Sequence, residues 1–482
     1  MARPARGVDT DGVMFARRSA LLLVLLVDLP IEAAGPRRLP PTAAGIAFTE
    51  LASSDTEPLF GSFDPSVVRI AYNPAPGIVY EEGAPLPRPR YELGTQFDRG
   101  VFIRGTDTQR DPFALYIGGR LQLRHTGFTR DAETWTDAAG VTRPIRNRNN
   151  FETERLRLNL SGIAIDPNLS YYIIFDGDAD GGSNVDQLAY IFTYAFDEAF
   201  KVRVGRWKAA AHREWLLSSR FFTLADRSMA TEFFRVGFTD GVWLLGDLDG
   251  GWHYEMSLTN GLRTSTRRAF DLDDNLGAAA TVYCDVLGPF GLGLADYAYH
   301  ETPVVRVGGS FAFDKADDRS DVGFPLGDDG FLRLSDGTRL ADVGALGPGV
   351  QLLGDRVLKG AIDLAVKYRG WSLTTEYFVR SIQDLTADGP IIVSQINDHG
   401  YRLDVGKFLV PQRWDAFARV SHVSGPFGDA YEYAAGMNYY WVNHNDAGTL
   451  NDRVNKLTFD ITSLDGSPTS STPADRLAGD DG

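Results

Sequence analysis

Segment after segment of this chain alternates apolar and polar residues with a period of two, and that repetition leaves few folds open. Leu115, Ile117, Leu121 and Leu123 alternate with Tyr116, Arg120, Gln122 and Arg124, and Leu156, Leu158 and Leu160 with Arg155, Arg157 and Asn159. Ile362, Leu364, Val366 and Tyr368 alternate with Asp363, Ala365, Lys367 and Arg369. Ala416, Ala418 and Val420 do so with Asp415, Phe417, Arg419 and Ser421. A period of two puts one set on each face of a β-strand. About fifteen such segments fit between residues 113 and 463, most near the 9–11 residues with which a tilted strand crosses a bilayer. Short turns such as 196–200 alternate with long Asp/Gly-rich loops at 176–184 and 314–350, the asymmetry of a membrane barrel.

Alternation does not say which face is wet, because a soluble sandwich has the same period. Two features favour the barrel. Arg and Lys recur on the polar face from strand to strand, as a watery lumen allows. Aromatic residues crowd strand ends: Tyr171, Tyr172, Tyr194, Tyr377, Phe378, Tyr439, Tyr440 and Trp441. Rings with a polar tip suit the membrane interface. The expected fold is all-β, an antiparallel transmembrane β-barrel in the outer membrane. A soluble secreted β protein stays as the alternative.

The N-terminus reads as a secretory signal over 1–34, with Arg17 and Arg18, the apolar run ALLLVLLV (20–27) and small residues near Ala33 and Ala34. Met14 is a candidate start. The run is too short to span a bilayer as a helix. Residues 35–98, rich in Pro, Gly and acidic side chains, read as a loose periplasmic extension, and 99–482 as the barrel. Within it, 215–234 interrupts the strand pattern with a helix-like stretch. That insertion is expected to fold inward and narrow the pore. The formal net charge of −16 argues against nucleic acid as a partner, and the single Cys284 excludes an internal disulfide.

Seven pieces, in order, carry a resemblance: IGGRLQLR (117–124), ERLRLNLSG (154–162), VDQLAYIF (185–192), VRVGRW (202–207), SSRFFTLADRSM (218–229), GYRLDVGKFL (400–409) and AAGMNYYW (434–441). Over roughly 110–463 the chain resembles the phosphate-selective porin O/P family. The resemblance implies an outer-membrane barrel of about 16 strands. It also implies a homotrimer embedded in outer-membrane lipid that passes small anions such as phosphate by diffusion, with no cofactor and no catalysis. It further implies an anion-holding constriction, carried over here to Arg120, Arg155, Asp186 and Arg220. Arg124, Arg157 and Arg203 are expected to line the pore. Guanidinium groups suit phosphate through their planar, permanently charged fork. The plainer reading of these arginines is as solvated charges that keep a pore wet.

The chain departs from the family in three places. Glu154 stands where the constriction carries a second arginine, and Trp215 where it carries a lysine. The loop matching the arginine-lined vestibule is acidic, with Asp314, Asp317, Asp318, Asp321, Asp328 and Asp329 against Arg319 and Arg333. An acidic mouth repels anions at low salt. A general or cation-tolerant channel, or an adhesive surface barrel with a plugged lumen, are therefore the alternatives. The calcium-like DGDADG (176–181) has Gln187 at its twelfth position instead of Glu, and no histidine has metal-ligand spacing. The last strand of the pattern ends near Ser463, one short of sixteen, and 475–482 is polar. The expectation is that the closing strand is missing, or that 99–104 supplies it.

Overall fold

The computed structural model describes residues 20–27, 90–96, 99–129, 133–144, 147–177, 185–263, 274–316, 332–441 and 455–469. Met14, the flanks of the apolar N-terminal run, Asp317 to Asp329 of the acidic loop, the core of the calcium-like motif and the tail 475–482 lie outside the described residues.

Three short strands come first: β1 Ala20–Val27, β2 Tyr91–Gln96 and β3 Gly100–Gly105. β4 Phe113–Phe128 follows, then a separate small hairpin, β5 Thr134–Thr136 and β6 Thr142–Pro144. The wall continues with β7 Arg148–Ala164, β8 Asp166–Asp176, β9 Asp186–Ala195 and β10 Lys201–Lys208. After two short helices, α1 Arg213–Leu216 and α2 Met229–Phe234, come β11 Phe238–Leu248, β12 Trp252–Thr259, β13 Gly277–Asp285 and β14 Val304–Ala316. The last six are β15 Leu352–Tyr368, β16 Trp371–Ala387, β17 Ile396–Val410, β18 Trp414–Gly425, β19 Gly428–Trp441 and β20 Asn455–Asp465. Eighteen of these strands form one sheet. From β4 onward each wall strand pairs antiparallel with the next in the chain.

The free edge of β4 is shared between two short strands. Residues 114–117 pair with β3, and 121–128 pair with β1. β1 also pairs with residues 456–462 of β20. The apolar run read from the sequence as a signal core thus lies extended between the last wall strand and the first. Residues 99–104, the expected filler of that gap, reach only the start of β4. The sheet also begins earlier than the sequence boundary at 98/99, because β2 pairs with β3. Backbone groups at membrane depth need partners, and β1 and β3 supply them to β4 and β20.

The distribution of side chains is that of a membrane barrel. Arg124, Arg380, Arg402, Arg419 and Lys456 are fully buried on the inner face. Phe151, Ile362 and Leu258 are exposed on the outer face, by 82%, 66% and 53%. A water-soluble sandwich requires the reverse. The faces are those of the alternation: Arg120, Gln122 and Arg124 point inward on β4, with Leu121 and Leu123 outward. The aromatic set divides between the two. Tyr171, Tyr194, Tyr377, Tyr439 and Trp441 face outward, whereas Tyr172, Phe378 and Tyr440 are buried in the lumen. The chain therefore sits in the outer membrane, its apolar band against lipid. Ile362→Arg is expected to cost about 2–4 kcal/mol at that depth. Refolding into vesicles under urea measures it, and an unchanged midpoint would remove Ile362 from the lipid face.

Candidate functional site

Residues 209–237 join β10 to β11 and pack into the lumen, where nearly all are buried. Irregular backbone at this depth has to be satisfied by protein. The wall does so. Lys208 donates from Nζ to the carbonyls of Trp215, Leu216 and Leu217 at 2.9, 3.2 and 3.1 Å, covering the end of α1. Ser228 caps α2 by accepting from the Thr231 N–H at 3.1 Å. The Glu214, Ala225, Met229 and Ala230 N–H groups donate to Glu376, Asp460, Glu432 and Ser421 of the wall at 2.7–3.0 Å. In return Lys359, Asn438 and Arg419 donate to the carbonyls of Arg235, Thr223 and Asp226 at 2.8, 2.9 and 3.0 Å, and Lys456 donates to that of Phe222. The helix-like stretch expected within 215–234 is reduced to a single tight turn at Ser219–Phe221 and the short α2. The wall groups satisfy the first-turn N–H donors of α2, which no helix bonds internally.

Buried charge fixes the seat. Glu214 lies 3.0 Å from Arg419 and 3.4 Å from Arg402, and accepts from Ser228 Oγ at 2.9 Å. Burial alone would raise its pKa, but Arg402 and Arg419 outweigh it and hold the carboxyl down at about 2. His212 is the opposite case: burial, then the charge of Lys359, pushes its pKa down to about 3, so the ring is neutral in the seat. Its ring meets Phe378 edge-on at 5.0 Å, and Glu376 is 3.7 Å from Nδ1.

A pH dependence follows. A histidine depressed when folded contributes no penalty above its unfolded pKa near 6.5. Stability then falls as pH drops from there toward about 3, by up to about 1.4 kcal/mol per unit. Glu214 adds loss only below its unfolded value near 4.5, down to about 2. His212→Phe is expected to flatten the decline between pH 6.5 and 4.5, measured as the thermal midpoint. Parallel curves for both proteins would exclude His212 as its source.

Arg120 and Arg155 are buried on β4 and β7, and Arg220 is buried in the inward segment, its guanidinium 5.9 Å from the Phe221 ring. Arg155 lies 3.1 Å from Glu154 and donates to Gln122 at 2.9 Å. A bulge brings these neighbours inward together: Gln122 faces Arg155 and Leu123 faces Thr153, so Glu154 is the extra residue. Asp186 lies apart, exposed at the start of β9 with Asp176 opposite it. The arginines expected to line the pore are paired with carboxylates. Arg124 reaches Glu152 at 2.6 Å, Glu154 at 2.5 Å and Asp226 at 2.9 Å; Arg157 reaches Asp176 at 2.6 Å; Arg203 reaches Glu255 at 3.1 Å. Asp314, expected at the mouth, is buried and accepts from the Leu262 N–H.

Trp215 shows what the sequence comparison missed. Its buried ring has Arg227, Lys208 and Arg235 at 5.0, 5.2 and 5.4 Å. Three cations thus stand around position 215, and the only sequence signal for them was the Arg spacing around ADRSM. Arg227 also lies 3.6 Å from Glu232, and burial lowers its pKa to about 10, leaving it charged at neutral pH. Among the described residues no group of His, Cys, Asp and Glu is arranged to hold a metal ion.

No protein-family model matches the chain, and no curated protein matches it. Solved structures similar to it are outer-membrane proteins. OmpT of Vibrio cholerae in its trimer form is 11% identical, with 66% of this chain and 92% of that chain covered and a TM-score of 0.38. OprB of Pseudomonas putida is 10% identical, covering 73% and 92%, with a TM-score of 0.37. OccK10 of Pseudomonas aeruginosa is 8% identical, covering 93% and 98%, with a TM-score of 0.30.

Proposed function

We propose that the protein is an outer-membrane diffusion channel for small anions, phosphate among them, and for other small polar solutes. The observation that carries this is the inside-out wall: charged side chains inside, apolar side chains outside, and an inward segment tied across the lumen. A lumen lined by fixed charge lowers the barrier for ions without a cofactor or an energy source. Arg120, Arg155 and Arg220 are the proposed anion-holding set, with Asp186 at the outer approach. The resemblance to the phosphate-selective porin O/P family supports that reading, and a homotrimer with it.

A cation-tolerant channel is the second reading, favoured by the carboxylates already on Arg124, Arg157 and Arg203. Planar-bilayer recording separates the two. The expectation is stepwise current with a reversal potential on the anion side in a salt gradient. Arg120→Ala and Arg220→Ala should each lower the anion-to-cation permeability ratio by about 2–5-fold. Low ionic strength is needed, because salt screens these charges. Unchanged ratios would remove both arginines from the site, and absence of steps would favour a plugged surface barrel.

A further inference from the structure

Among the described residues, the end of the barrel that carries short turns has one long connection. Most links there are brief, such as 249–251, 369–370 and 411–413, but 286–303 joins β13 to β14. Short turns mark the periplasmic end, so this segment enters the lumen from the side opposite 209–237. It is held along its length. Lys367, an inward residue of β15, donates to the Phe290 and Leu292 carbonyls at 3.1 Å each. The fully buried Asp296 accepts from the Gly370 N–H at 2.7 Å. Gly370 has φ +77°, and a Cβ there would stand 2.6 Å from the Tyr299 ring, so the turn and the segment are fitted to each other. Tyr297 then packs on Phe408 and Tyr440, at 5.8 and 5.3 Å, two and four strands further round the same wall.

The two inward segments touch. The Leu294 N–H donates to the Phe221 carbonyl at 3.3 Å, and Leu294 packs against Leu217, Phe221 and Phe222. Arg213 of α1 lies over the Phe290 ring at 4.7 Å.

We infer that residues 286–303 are the inner half of the constriction: a collar that stays seated against the outer segment while the channel conducts and sets, with it, the size limit for solutes. This rests on the channel reading above. The collar runs along the wall from β14–β15 to β17 and β19 and meets the outer segment there, so on that side the two narrow the lumen together.

Two variants test it in planar bilayers. In the first, residues 287–301 are replaced by an Asn-Gly turn, which suits the antiparallel β13–β14 pair. Single-channel conductance is expected to rise about two-fold or more, and larger neutral polymers to enter from the inner side. The second is a staple, Phe221→Cys with Gly293→Cys in a Cys284→Ser background. A Cβ at 293 would lie 3.7 Å from that of Phe221, inside the disulfide range of about 3.5–4.5 Å. The oxidised staple is expected to conduct like the reduced protein. Unchanged conductance and polymer cut-off in the trimmed protein would overturn the inference, as would a staple that blocks current until reduced. Current from the trimmed protein alone would mean a sealed collar, overturning the inference but keeping the barrel a channel. Silence from every variant, wild type included, sinks the channel reading and this one with it.

Discussion

Glu214→Ala is expected to release the inward segment from the lumen wall. The carboxylate sits between Arg402 and Arg419, and all three side chains are fully buried or nearly so. Removing one member of such a set leaves buried charge uncompensated, at a cost of about 3–5 kcal/mol. Asp404, Glu376 and Glu432 remain near the two guanidiniums, which puts the effect toward the lower end of that range. Two hydrogen bonds from Ser228, through its N–H and its hydroxyl, disappear as well, loosening the start of α2. The readouts are a larger, noisier single-channel current and new protease cleavage within 213–234. Glu214→Gln keeps an acceptor for Ser228 but not the charge, and should fall between wild type and alanine. Wild-type conductance and protease resistance in Glu214→Ala would show that the seat does not depend on this charge.

The strands were legible in the sequence because each is a local pattern. Arg402 and Asp404 alternate with Leu403 and Val405, and both point inward on β17 as that period requires. The Glu214 seat was not legible, because its partners lie far along the chain and meet only when the wall curves around the lumen. The bulge at Glu154 was equally hidden: one extra residue turns a position expected to face away from Arg155 toward the same lumen. Aromatic residues misled in part. A tyrosine near a strand end looks the same in sequence whether it faces lipid, like Tyr439, or the lumen, like Tyr440. The 286–303 connection carried a weak signal, the glycines of 288–293, but strand periodicity says nothing about where a connection folds.

Trp215→Lys is the substitution that separates the family pattern from this chain's own chemistry. By resemblance, a lysine here completes an anion-holding ring and should strengthen anion preference. The surroundings of Trp215 point the other way. Lys208, Arg227 and Arg235 already stand around the indole, held there by attraction between cations and its ring face. A fourth cation replaces that attraction with repulsion in a place poor in water. The ring also packs with Ala209, Ala211, Val236 and Leu262 in a buried cluster, and meets Phe238 edge-on at 5.8 Å. Loss of a buried tryptophan costs about 3–5 kcal/mol before any charge effect. The expected result is therefore a loosened inward segment with a lower thermal midpoint and no gain in anion preference. Trp215→Phe keeps a ring for the three cations, so it should cost less and leave selectivity in place. If Trp215→Lys instead folds as firmly as wild type and binds phosphate more tightly, the cation cluster is not a substitute for the missing lysine, and the family's constriction applies here without change.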